Sequence, residues 1–196
     1  MEQETLTVTY ERLRHSDDSQ ELSRRARMPL PGRDDGAAFS RATALLEAVA
    51  GNLHTPVEDR AFLAEAMPFP NILVKLSGDP EPQVRAAVAA NRNVKDWLAG
   101  RLTKDDDASV RRAALLNPQT SWKMRLEGAQ DPRTDPEVLE YLGTLGAEEG
   151  SEDNAILSAM VRRAVALNPN APDTLVRALA HDGNDDVSHA AQKRLS

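Results

Sequence analysis

The stretch VRRAALLNP occupies Val110 to Pro118, and VRRAVALNP occupies Val161 to Pro169, 51 positions further on. Two weaker copies flank them: VRAAVAAN from Val84 and a worn VSHAAQKR from Val187, each 26 positions from its neighbour. Since 51 is close to twice 26, a further copy is expected near position 136, where PEVLEYLG from Pro136 supplies an apolar helix without the Arg. A fixed period of roughly 20 to 50 residues marks a stacked-repeat architecture, in which no unit closes its own core and each buries its apolar face on its neighbours.

The stretch from Asn91 to Asn117 shows the unit's anatomy. Asn93 followed by Asp96 has the form of a capping box, and Leu98 and Leu102 lie one turn apart on a first helix. Asn170 with Asp173, and Thr55 with Glu58, repeat that start signal; Pro56 stands where a first-turn proline is tolerated. After an acidic turn, Val110, Ala113 and Ala114 mark the buried face of a second helix. Asn117 is expected to end it in the left-handed cap conformation, with Pro118 barring continuation. Val84, Val110, Val161 and Val187 then form a buried column, and Ala87, Ala113, Ala164 and Ala190 a column of close approach. Each fully buried Val is worth about 1.5–3 kcal/mol. Ala113→Glu is therefore expected to unfold the array.

Composition agrees with a helical chain. Aromatic residues make up only 4% of the 196 residues, which disfavours a β-sandwich or barrel. Twenty-four Lys and Arg against 31 Asp and Glu give a net charge of −7, so there is no general attraction to phosphate backbones or anionic lipid. The absence of Cys excludes disulfides, thiolate nucleophiles and Cys-ligated metal centres. No secretory core follows Met1, and no apolar run approaches the roughly 18 residues that span a bilayer, so a cytoplasmic location is expected.

The expected fold is all-α, a right-handed α-solenoid of stacked two-helix repeats with a period of 26 residues. Residues 1–35 read as a polar N-terminal arm or cap, in which LTVTY alternates like a strand and SQELSRRAR suits one exposed helix. Residues 36–196 form the repeat domain, clearest over 70–196; residues 36–67 hold two helical patterns, and 143–154 is an acidic, Gly-containing loop.

The pattern Asp79…Val84-Arg85, repeated in Asp105…Val110-Arg111, resembles the signature of HEAT-type repeats. The phrase VRRAVALNPNAPDTLVRALAHD is closer still to the bacterial leucine-rich repeat variant, and the resemblance covers about residues 70 to 196. It implies a structural ladder in which Arg85, Arg111 and Arg162 pair with turn carboxylates such as Asp79 and Asp105. The column is broken at Leu139 and Ser188. The family is also associated with a Cys-ligated iron–sulfur module, which a chain without Cys cannot carry; no cofactor is expected.

Four residues stand out as candidate partner contacts. Arg112 and Arg163 lack an Asp at the ladder spacing, and Trp97 and Trp122 fall on first helices of successive units, where their offsets would place them near each other. His181, Asp182, Asp185 and His189 are explained by turn and N-cap positions rather than a metal, and Asp105 to Asp107 lack the glycine and terminal Glu of a calcium loop. No phosphate-binding loop, dinucleotide turn, nucleophile elbow or zinc-protease motif occurs, so no enzymatic activity is expected, and a carboxylate acid–base pair has no motif behind it. The expected function is a non-enzymatic scaffold holding a protein or peptide, with basic segments favoured by the net charge. The alternative is a nucleic-acid-binding HEAT-like protein, similar to the DNA glycosylases of that class, using the Arg column. The oligomeric state is left open.

Overall fold

A computed structural model describes residues 4–147 and 154–196, so half of the acidic stretch expected as a loop over 143–154 lies outside the described residues, and its first two residues end a helix. Every regular element among the described residues is an α-helix. The chain divides into two compact units, Met1–Leu98 and Ala99–Ser196, with the division inside the short helix α7 (Asp96–Leu102).

The first unit contains α1 (Leu6–His15), α2 (Ser19–Ala26), α3 (Gly36–Ala50), α4 (Val57–Ala66), α5 (Pro70–Leu76) and α6 (Pro82–Ala90). Here α1 packs on α3 and α3 on α5, while α2 packs on α4 and α4 on α6. LTVTY, strand-like by alternation, is the start of α1. Thr5 caps that helix by accepting from the Val8 N–H, and Thr9 turns its hydroxyl back onto the Thr5 carbonyl at 3.0 Å. Leu13 and Leu22 are completely buried, so the expected arm or cap contributes two helices to this unit's core.

The second unit contains α8 (Ala108–Leu116), α9 (Trp122–Gln130), α10 (Pro136–Thr144), α11 (Ala155–Leu167), α12 (Asp173–Leu179) and α13 (Asp185–Leu195). Helices α8, α10 and α12 pack in sequence, as do α9, α11 and α13. The twin phrases therefore belong to different rows. The helix near 136 does follow α8 in its row, and Val138 takes up the buried place of Val110. Between the twins, however, lie two helices and not three, so α11 falls beside α9.

Side chains finish these short helices. Asn91, Asn117 and Asn168 stand at C-caps with φ of −66°, −73° and −72°, in extended and not left-handed backbone. What recurs is the use of the amide. Its Oδ1 accepts from the N–H two residues on, as in Asn91 to Asn93 (2.8 Å) and Asn168 to Asn170 (2.9 Å). Its Nδ2 donates to carbonyls at the end of a neighbouring helix: Asn52 to Leu13 and Ser16, Asn91 to Ala64, Glu65 and Met67, Asn168 to Ala129 and Asp131. Carbonyls that a helix end leaves orphaned are thereby satisfied by the adjacent layer. Asn93 serves this turn and does not cap a first helix, which begins at Asp96.

Val84, Val110, Val161 and Val187 are each fully buried, but Val110 lies in the α8 row and Val161 and Val187 in the α9 row, so they do not line up as one column. Of the expected Ala positions only Ala164 is buried. Ala87, Ala113 and Ala190 are only half-buried, while Val88, Ala114, Val165 and Ala191 are completely enclosed.

Candidate partner-binding face

The ladder residues serve the fold. Arg60 on α4 places Nε 2.7 Å and Nη2 3.1 Å from the carboxylate of Asp79, both side chains being almost wholly enclosed. Arg85, on the next helix, donates to the carbonyls of Asp79 (2.8 Å) and Pro80 (3.1 Å) in the same turn. Arg111 repeats that clasp on the carbonyls of Asp105 (2.9 Å) and Asp106 (2.7 Å). Arg162 reproduces the Arg60 arrangement with Asp182, at 2.7 and 3.1 Å, and reaches the Leu145 carbonyl at 2.9 Å.

Burial, the largest single influence on the Asp182 carboxyl, raises its pKa. The hydrogen bonds from Arg162 and the Asn184 N–H, with the charge of Arg162, outweigh it and hold the group below the usual carboxylate range. Arg125 of α9 is the odd member. It is 8% exposed, reaches the Asn117 and Pro118 carbonyls at 3.4 and 3.3 Å, and its Nε has no hydrogen-bond partner among the described residues.

The four candidate contacts differ in their surroundings. Trp97 belongs to the first unit and is 57% exposed. Trp122 belongs to the second; it is partly buried against the α9–α13 core, with the Arg125 guanidinium 5.1 Å from its ring. Arg112 on α8 pairs with Glu137 on α10. Only Arg163 points from the outer face of α11 with no ion-pair or hydrogen-bond partner among the described residues.

Around Arg163 lies the surface that reading by repeats passes over. Ile156, Met160 and Leu167 are 78%, 45% and 51% exposed, on the side of α11 opposite the buried Val161 and Val165. With Arg163 they follow the i, i+4, i+7, i+11 spacing of one helix stripe. Met160, Arg163 and Leu167 form, with Leu126 and Gln130 of α9 and Pro169, the walls of an open cleft of about 220 Å³. The signal was present in AILSAMVRRAVAL, whose only polar residues are Ser158 and two Arg. A helix apolar on nearly every side is either enclosed or an interface. The shared letters of α8 and α11 conceal a difference: the first turn of α11, from Ala155 to Ser158, has no counterpart in α8, and Met160 stands where α8 has Ser109.

Large apolar side chains grouped on one face around a charge mark a surface suited to a macromolecular partner. Comparison with family models, curated proteins and solved structures finds no match for this chain.

Proposed function

We propose that this protein is a non-enzymatic scaffold of the leucine-rich repeat variant or HEAT-like kind, and that it holds a protein segment on the outer face of α9 and α11. The observation that carries the reading is the exposed stripe of Ile156, Met160 and Leu167 around Arg163, which has no ion-pair partner among the described residues. Alternation of successive helices between two packed rows within each unit supports an α-solenoid of helix pairs, the architecture on which such faces are built by repetition.

The net charge of −7 favours basic partners at long range, yet on this stripe the one charged group is a cation. Local recognition thus favours a carboxylate among apolar residues. The nucleic-acid alternative is weakened because Arg85 and Arg111 clasp turn carbonyls, Arg162 is enclosed with Asp182, and Arg112 faces Glu137. A basic groove would need these groups free to contact phosphates.

Co-precipitation of partners by the full chain tests the proposal, with a Met160→Glu/Leu167→Glu variant compared against Arg112→Ala. Loss with the first and retention with the second is expected. Equal recovery from both would refute the assignment of this face.

A further inference from the structure

We infer that the occupant of the α9/α11 cleft is an amphipathic α-helix carrying a carboxylate opposite Arg163, an inference that rests on the proposed binding face. The cleft is bounded by α9, α11 and the turn at Asn168 and Pro169, whose carbonyls accept from Arg194, so it offers no strand edge to an extended peptide. A helical guest satisfies its backbone internally and needs only side-chain contacts. A polyproline guest docks on aromatic walls, whereas this lining is Leu, Met, Ala, Pro, Gln, Asn and Arg.

The stripe from Ile156 to Leu167 covers eleven helical steps, about 16 Å at 1.5 Å per residue, which matches three turns of a guest helix. Met160 adds a side chain that adapts to different apolar knobs. The charge selects among guests. The α11 sequence contains no Asp or Glu, and Glu127 on α9 is paired with Lys104 at 2.8 Å. A second copy laid along α11 would bring its own Arg163 and no carboxylate, burying an uncompensated cation. A guest with Glu or Asp amid apolar residues at i, i+4 and i+7 answers both the stripe and the cation.

The probe is a displayed library of random 16-residue peptides, selected against the full chain and measured individually by fluorescence anisotropy and circular dichroism. Enriched peptides are expected to be helix-forming, apolar at i, i+4 and i+7, and acidic at an adjacent position. Met160→Glu should abolish their binding. Arg163→Glu should weaken it by about tenfold or more, as for truncating one partner of an interfacial charge pair, and reselection against that variant should replace the acid by Lys.

Peptides that lose binding on Met160→Glu but are Pro-rich, extended or indifferent to Arg163→Glu would overturn the helical acidic guest and leave the face intact. Peptides that bind Met160→Glu as well as the wild type would overturn the face itself. A concentration-dependent dimer in light scattering that dissociates on Met160→Glu would assign the face to a second copy and reject the guest.

Discussion

Replacing Asp79 by Asn removes one charge from the most enclosed ion pair of the first unit. The partners are 4% and 3% exposed at their side chains, with Nε–Oδ2 and Nη2–Oδ1 distances of 2.7 and 3.1 Å. The Asn oxygen can still accept from the Glu81 N–H, now 2.9 Å from Oδ1, so the turn is retained, while the charge is lost and the Asn amide nitrogen can no longer accept from Arg60 Nε in place of Oδ2. Breaking a buried pair from one side costs about 3–5 kcal/mol, because the remaining guanidinium is desolvated without compensation. A domain of roughly 100 residues shifts its Tm by about 4–8 °C per kcal/mol, so the melting of this unit should fall by at least about 12 °C. Thermal denaturation followed by circular dichroism reads the shift. Adding Arg60→Met to Asp79→Asn should recover part of the loss. Glu137→Gln, at the half-exposed Arg112 pair, should cost less than about 1 kcal/mol. An Asp79→Asn cost as small as that of Glu137→Gln would refute the claim that enclosed Arg–Asp clasps hold the layers.

Three further outcomes follow from the same contacts. Asp182 has a depressed carboxyl pKa, so its contribution to stability is present above the unfolded value of about 4 and is lost as pH falls through the lower folded value; urea titrations between pH 6 and 2 should show acid destabilisation that Asp182→Asn flattens. Ala114→Glu should unfold the second unit, whereas Ala113→Glu should leave it folded, as circular dichroism of the two variants will show. Asn91→Ala removes the donor to the Ala64, Glu65 and Met67 carbonyls and should cost about 1–3 kcal/mol in chemical denaturation.

The helical class and the buried side of each helix were legible because apolar spacing at i, i+3 and i+4 is fixed by helix geometry, whatever the tertiary context. Register between rows was not. The letters around Val110 and Val161 are nearly identical because both helices end on the same Asn turn, and such a turn closes helices in either row. Val88 and Ala114 share one enclosed position because packing distance, rather than residue size alone, decides which column sits deepest. The Arg60–Asp79 clasp was missed although its spacing of 19 nearly repeats the 20 of Arg162–Asp182. Its Arg lies outside any VR phrase, and the carboxylate that Arg pairs with stands in the turn beyond the next helix, not in the turn before its own. The binding stripe was hidden differently. Arg163 is the second Arg of its phrase, but Ile156 and Met160 precede the repeated letters, and repetition carries no signal for residues outside them.

The most direct test places a photo-crosslinking amino acid at Met160 in the full chain, with a control at the exposed Arg177 on α12. The account predicts a discrete heterologous adduct from position 160, identified by mass spectrometry through a helical segment bearing Asp or Glu, and no such adduct from position 177. Identical adducts from both positions, or none from 160 beyond the control, would contradict it.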